Sequence, residues 1–286
     1  MNKPWIYRFG STEYDLASRT HVMGILNVTP DSFSDGGRYL DTDQAVQHAI
    51  QMVEDGADFI DIGGESTRPG SESVSADEEI GRTIPVIDAL RKIPIEVPIS
   101  IDTTKAAVAD AALRAGAVIV NDISAMTADG AMASVATKHR AAVVLMHMQG
   151  TPKTMQQQPQ YNNVTEEVKQ YLSDRAEVAR QSGLTHIIID PGFGFGKKFE
   201  HNIQLLKELG SFTSLGYPLL VGVSRKSFLG TILNLPPTER LEGTTAAVTA
   251  AILNGANIVR VHDVKEVKRA ALVSDMLKSV QPPTKG

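Results

Sequence analysis

The chain has 286 residues, 42% of them hydrophobic and 21% charged, with a formal net charge of −5 and no cysteine. This supports a large core in one domain, disfavours nucleic acid and anionic membranes as main partners, and rules out disulfides and thiolate-held metals. The N-terminus MNKPWIYRFG has no apolar signal region and no run approaches the length of a membrane span, so a cytoplasmic protein is expected.

Trp5–Phe9 and Glu13–Leu16 flank Gly10-Ser11 and predict a small N-terminal hairpin over 4–16. Eight apolar runs follow: Val22–Leu26, Phe59–Ile62, Ile99–Ile101, Val118–Val120, Val143–Met146, Ile187–Ile189, Leu219–Val223 and Ile258–Val261. They are rich in Val and Ile and nearly continuous, the pattern of parallel strands covered on both faces. Amphipathic helical patterns lie between them, among them Asp43–Glu54, Ala76–Arg91, Lys105–Ala115, Thr165–Ser182 and Glu239–Asn254, with Val264–Val280 last before a polar tail. Eight strand–helix units predict an α/β fold, a (β/α)8 TIM barrel over 1–286.

A weak repeat supports the barrel. GADFID at 56–61, GAVIVN at 116–121 and GANIVR at 255–260 share a helix-ending glycine and an apolar run, and Gly183 opens a fourth copy. Asp61, Asn121 and Arg260 stand five residues after their glycines, and Asp190 and His262 stand seven after theirs. Both offsets are odd, so period-two alternation turns all five to one side, at the strand C-termini where such barrels keep their active sites.

The polar residues concentrate at those ends. The stretch Met23–Gly37, MGILNVTPDSFSDGG, begins as a strand, stops at Asn27, and continues as a polar loop loosened by Pro30 and Gly36-Gly37. Asp102 ends ISID, Asn121 ends VIVN and Asp190 ends IIID. Each alone suits a helix N-cap; together with Asn27 they suit a flat heterocycle with adjacent N–H and amino donors. Ser224-Arg225-Lys226-Ser227 follows a strand and offers an anion two cations and two hydroxyls, against a solvated turn as the plainer reading. Arg260-Val261-His262 alternates a cation able to stack on a ring with an imidazole able to reach a phosphate. Glu65–Gly70 is a second polar loop. GFGFGK at 192–197 is not a phosphate loop, because Pro191 and Lys198 stand where one needs glycine and a hydroxyl. Its glycines predict close approach of backbone to a ligand. His147 and His201 lack metal-site spacing, and Met146-His147-Met148 reads as strand-end packing.

The segments MGILNVTPDSFSDGG, DIGGESTRPG, ISIDTTK, VNDIS, LMHMQGTP, DPGFGFGK, VGVSRKSFLG and RVHDV, in this order from Val22 to Asp263, resemble the dihydropteroate synthase family of pterin-binding enzymes. The resemblance implies condensation of 6-hydroxymethyl-7,8-dihydropterin diphosphate with p-aminobenzoate, giving 7,8-dihydropteroate and pyrophosphate for folate synthesis, with Mg²⁺. It places Asp102, Asn121, Asp190, Lys226, Met146 and Phe195 around the pterin, with Arg260 over the ring face. It assigns Asn27, Thr67, Arg68, Arg260 and His262 to the diphosphate, Asn27 also to the metal. Phe33, Ser66, Thr67, Pro69, Phe195, Lys226 and Ser227 shape the p-aminobenzoate pocket. Asp102, Asp190, Lys226 and Asp35 are the implied catalytic residues. The first two loops close over the site, and late helices form a homodimer. Without an insertion near Phe195, sulfonamides are expected to compete with p-aminobenzoate. Rival readings are a pterin-binding corrinoid methyltransferase and a non-catalytic pterin-binding subunit; the former needs neither the Asn27–Gly37 loop nor the Ser224–Ser227 cluster.

Overall fold

The computed structural model describes residues 5–29, 38–94 and 96–278. An antiparallel hairpin, β1 (Ile6–Phe9) and β2 (Thr12–Asp15), precedes the repeating units. These run β3 (His21–Asn27), α1 (Arg38–Glu54), β4 (Phe59–Gly63), α2 (Ala76–Leu90), β5 (Ile99–Asp102), α3 (Ala106–Ala115), β6 (Ile119–Asp122) and α4 (Met132–His139). They continue with β7 (Ala142–Met146), α5 (Val164–Gln181), β8 (Ile187–Asp190), α6 (Phe199–Lys207), β9 (Leu220–Val221), α7 (Ser227–Leu233), α8 (Leu241–Leu253), β10 (Ile258–Val261) and α9 (Val264–Lys278). The strands pair in parallel in the order β8-β7-β6-β5-β4-β3-β10-β9. Leu219, just before β9, pairs with Ile189 of β8 and closes the ring. The predicted eight-stranded barrel and hairpin are therefore both present.

The near-continuous apolar strands follow from two cores. Alternate residues such as Val22, Ile60, Ile101, Val120, Val143, Ile189 and Val259 face outward and pack with the helices. Their neighbours point inward. Met23, Phe59, Ile119, Ala142, Val144, Ile188, Leu220 and Ile258 fill the lower barrel, and Tyr7, Phe9 and Leu16 of the hairpin region join them from below. Phe9 meets Phe59 edge-on at 5.2 Å between ring centroids, and the Tyr7 hydroxyl donates to the Ile187 carbonyl at 2.8 Å. The hairpin is thus a floor to the barrel, with a hydrophobic contact on each strand that it covers.

The repeat glycines end helices as expected: Gly56, Gly116, Gly183 and Gly255 have φ of +100°, +118°, +91° and +102°. Two elements differ from the sequence reading. Helix α1 starts at Arg38 rather than Asp43, and the run Leu219–Val223 yields a two-residue strand. There Pro218, which has no N–H, precedes the strand and lends only its carbonyl, to the Ile189 amide at 3.0 Å. Beyond Val221 the chain leaves the ladder toward Ser224.

Candidate active site

Two residues above the apolar layer, the inward positions of five of the eight strands are charged or amide side chains. Phe59 is followed by Asp61, Ser100 by Asp102, Ile119 by Asn121, Ile188 by Asp190 and Ile258 by Arg260. The period-two alternation that fills the floor therefore lines the mouth with charge. Asp61, Asp102, Asn121 and Asp190 are all buried.

Arg260 ties two of these carboxylates together. Its Nε donates to Asp61 at 2.6 Å and its Nη2 to Asp102 at 2.7 Å. The Asn121 amide donates to the same Asp61 oxygen at 2.8 Å. The expectation that Asp61, Asn121 and Arg260 face one side is met by direct contact. The remaining oxygens, Oδ1 of Asp61 and Oδ1 of Asp102, are buried without a hydrogen-bond partner. A buried acceptor left unpaired is costly, so such atoms are where a donor-bearing ligand gains most. Burial pushes the Asp102 carboxyl up; Arg260 opposes the shift and nearby Asp61 adds to it. Asp190 accepts from the Gly192 amide at 2.7 Å, and burial raises it to about 6 against that bond and the pull of Lys226.

Beside Asp102 a cavity of about 340 Å³ opens between the loops that follow β4, β5, β6 and β7. Glu65, Thr67, Glu79, Asp102, Ile123 and Met148 are among its walls. Its β4 loop is anchored from below: Lys105 bonds Glu65, and also Glu79 at 2.6 Å. Thr67 lies in this cavity, Ser66 is half-buried beside it, and Arg68 and Pro69 are exposed on the same loop.

Opposite Asp102 in strand order stands the β9–α7 corner. Lys226, at the start of α7, holds its ammonium 4.0 Å from the Phe195 ring centroid. Burial and the neighbouring Arg260 bring Lys226 down to about 8. Ser227 is exposed beside it. Arg225 pairs with Asp263 at the end of β10, and Arg240 donates to the carbonyls of Arg225 and Lys226 at 3.0 and 3.3 Å, which fixes the corner. Met146 and Phe195 pack with Ile123 and Met155 in a small apolar cluster at the mouth. His262 shares a 2.9 Å hydrogen bond with Ser224, and burial holds it down to about 3. Asn27 ends β3, half-buried, opposite Gly63. Phe33 and Asp35 lie outside the described residues.

Two of the GFGFGK glycines meet protein backbone. Gly192 and Gly196 have φ of +70° and +60°, and a Cβ on them would lie 2.0 Å from the His147 carbonyl and 2.4 Å from that of Gln149. The close approach is between two backbone segments. The glycine offsets place Asp61 on this side without giving it a role; it is the acceptor shared by Asn121 and Arg260. One further residue carries no such signal. Lys197 is buried at the end of the glycine segment.

Among the described residues there is no cluster of three or more His, Cys, Asp or Glu that could hold a metal. Mg²⁺ asks for less, since it keeps water and takes most of its ligands from substrate phosphates. The Asn27 carbonyl oxygen, half-buried at a strand tip, fits that limited role.

A family model described as pterin binding enzyme matches residues 23–262. A dihydropteroate synthase of Synechocystis is 51% identical, the match covering 94% of this chain and 93% of that protein. The crystal structure of a Yersinia pestis dihydropteroate synthase in a sulfonamide complex superposes with a TM-score of 0.91 at 45% identity, covering 96% of this chain and all, 100%, of that one. A Xanthomonas albilineans dihydropteroate synthase with 4-aminobenzoic acid superposes with a TM-score of 0.91 at 40% identity, covering 98% of this chain and 100% of that one.

Proposed function

The chain belongs to the pterin-binding enzyme family, among its dihydropteroate synthases, and we propose that it joins 6-hydroxymethyl-7,8-dihydropterin diphosphate to p-aminobenzoate, releasing pyrophosphate. The observation that carries this reading is the pair of unpartnered carboxylate oxygens on Asp61 and Asp102, buried in a mouth that Asn121 and Asp190 also line. A pterin presents ring N–H and amino donors in one plane, and each carboxylate can accept more than one of them. Buried acceptors also reject rings that lack those donors.

Binding comes first. Asp102, Asn121 and Asp190 accept from the ring edge, Met146 and Phe195 supply its apolar contact, and Arg260, held on two carboxylates, covers the ring. Lys226 donates to the ring. Thr67, Arg68, Arg260 and His262 receive the diphosphate. Mg²⁺ at Asn27 supplies positive charge to the diphosphate when bound. The pterin CH₂–O bond then breaks, leaving a carbocation conjugated with the ring and the electron pair on the diphosphate. Asp102 and Asp190 stabilise that cation electrostatically rather than attack it. The neutral arylamine nitrogen forms the new C–N bond and loses its proton to water or the departing diphosphate. Ser66, Thr67, Pro69, Phe195, Lys226 and Ser227 shape its pocket, with Phe33, and Asp35 acts from the first loop. Closure of the β4 loop excludes water that would otherwise trap the cation.

The experiment is pyrophosphate release from the pterin diphosphate with Mg²⁺, with and without p-aminobenzoate. Fast release that requires both substrates, relieved of sulfonamide inhibition by added p-aminobenzoate, is expected. Binding of pterin without release in any condition would identify a pterin-binding subunit, and methyl transfer to a corrinoid would identify the other rival. The chain is also proposed to dimerise. Leu253 on α8 and Leu272, Val273, Met276 and Leu277 on α9 are exposed, and α8 packs on α9. Val273→Glu should convert a dimer to a monomer in sedimentation; an unchanged mass places the interface elsewhere. The proposed compartment is the cytoplasm; no helix among the described residues is long and apolar enough to cross a membrane.

A further inference from the structure

Lys197 takes no part in the steps above, yet its side chain lies within the mouth with only 3% of its surface exposed. Its ammonium lies 2.9 Å from the Gly192 carbonyl, 3.0 Å from the Phe195 carbonyl, 2.9 Å from His147 Nδ1 and 3.3 Å from the His147 carbonyl. An ammonium has three hydrogens and no lone pair, so all four contacts are donations only with one hydrogen shared between two acceptors. His147 Nδ1 must therefore accept, and its ring is neutral with the hydrogen on Nε2. Burial and the charge of Lys197 agree with this by drawing His147 down to about 2.

The acceptors belong to two segments. His147 follows β7; Gly192 and Phe195 follow β8. The glycines let those segments touch backbone to backbone, which brings carbonyl dipoles together with the same sign. A cation between them turns that repulsion into attraction. Asn202 closes the outer side, accepting from the Gly194 amide at 2.7 Å and donating to the Lys198 carbonyl at 2.7 Å. Two of the three residues that Lys197 grips also carry a piece of the site. Gly192 offers its carbonyl to Lys197 and its N–H to Asp190. Phe195 offers its carbonyl to Lys197 and its ring to Lys226. A Cβ on Gly194 would lie 3.1 Å from the Lys226 stem, so the loop and that stem are in contact.

We infer that Lys197 is a positioning residue for the reaction: its ammonium clasps the β7 and β8 loops, so that Phe195 and Lys226 form the p-aminobenzoate wall and Asp190 is aimed at the pterin. The inference rests on the proposed function. The charged and titratable groups around the clasp are Asp190 on β8, Lys226 at α7 and His147 after β7, with Tyr161 and Tyr171 against the His147 ring and His201 of α6 beyond them. Burial draws Lys197 down to about 7, Asp190 opposing and Lys226 adding to the shift.

Lys197→Met keeps the stem and removes the donors. Its expected signature is a KM for p-aminobenzoate raised about tenfold or more, a KM for the pterin diphosphate raised about threefold, and a kcat within about threefold of the parent. Lys197→Ala should regain p-aminobenzoate affinity on addition of propylammonium, but not of tetramethylammonium, which has no hydrogen to donate. Amide exchange over 192–196 should quicken in Lys197→Met while β8 stays protected. A folded Lys197→Met with both KM values within about twofold of the parent overturns the inference. So does a uniform loss of kcat and both affinities that follows only a lowered melting temperature. If Lys197→Met does not fold, His147→Phe removes one acceptor and keeps the ring. It should raise the p-aminobenzoate KM about twofold to fivefold, and no change overturns the clasp. A parent that releases no pyrophosphate overturns the proposed function instead, and amide exchange over 192–196 then decides the clasp alone.

Discussion

The floor and the mouth of this barrel are built by the same strands, two residues apart, and they obey opposite rules. On the floor, Phe59, Ile119, Ile188 and Ile258 are buried among apolar neighbours and sealed by Tyr7 and Phe9. At the mouth, Asp61, Asn121, Asp190 and Arg260 follow them on the same faces, with carboxylate oxygens left unpartnered. Burial supplies stability below. Above, burial of charge spends some of it, because an ionised carboxyl taken from water is costly until a partner arrives. The difference teaches that a substitution's position along one strand decides whether it reads out in stability or in turnover.

The strongest break of the comparison is Phe59→Ala. The ring is fully buried and stacks on Phe9, Tyr14 and His21, so its loss should cost about 3–5 kcal/mol. Denaturant melts should show it, with both KM values unchanged while the protein remains folded. A shifted KM without a stability loss would erase the division between floor and mouth.

Next comes Asp190→Asn, two strand positions above Ile188. It should lower kcat/KM about 100-fold or more, which is about 2.7 kcal/mol or more in transition-state terms. Stability should move the other way. Burial lifts this acid from an ordinary 3.8 to about 6, so the folded state binds its proton more tightly than the unfolded state does. The ionised form is then penalised by roughly 3 kcal/mol above pH 6, a penalty that builds between about pH 4 and 6 and is absent below. The variant should melt higher than the parent at pH 8 and equally at pH 3.5; a lower melting temperature at pH 8 would make Asp190 a structural residue.

The pH profile is a gentler probe of the same contrast. Both carboxyls accept two ring donors only when ionised, so kcat/KM should begin to fall below about pH 7, where Asp102 protonates, and more steeply below about pH 6, where Asp190 follows. On the alkaline side the loss should begin between about 7 and 8, where burial has brought Lys197 and Lys226. Lys226→Arg should leave only the Lys197 step. Floor variants such as Phe59→Ala should keep the parent's profile, since the titrating groups that Phe59 touches, Tyr14 and His21, belong to the floor and not to the mouth.

Much of this contrast was legible in the sequence because both halves obey one periodicity. Repeated glycine offsets placed Asp61, Asn121 and Arg260 on one face, and the structure joins them by hydrogen bonds. What the periodicity could not carry lies in the loops. The GFGFGK glycines announce close packing but not its partner, since His147 and Gln149 come from a strand end some 45 residues earlier. Lys197 reads in sequence as an ordinary surface cation; only the convergence of three backbone carbonyls on it makes a buried ammonium tenable. The brevity of β9 was hidden for a related reason. Leu219–Val223 is apolar enough for five strand positions, but Pro218 and the turn to Ser224 limit its ladder to Leu220–Val221.

The finest test concerns the one side-chain hydroxyl among the floor's described polar ties to the barrel wall, which also include the Arg8 amide donating to His186 at 3.1 Å. The Tyr7 hydroxyl donates to the Ile187 carbonyl at 2.8 Å, and the His186 ring stands edge-on to Tyr7 at 4.7 Å. Burial raises the Tyr7 hydroxyl far above its usual range, so it stays a donor at every working pH. Tyr7→Phe keeps the ring and deletes only that bond, at a cost of about 1 kcal/mol. Ile187 opens the strand whose far end is Asp190, three residues on. If floor and mouth are separable, the variant loses this small stability and nothing in either KM. A raised pterin KM would mean that the hairpin sets the height of β8, and that the floor holds Asp190 in place as well as the barrel together.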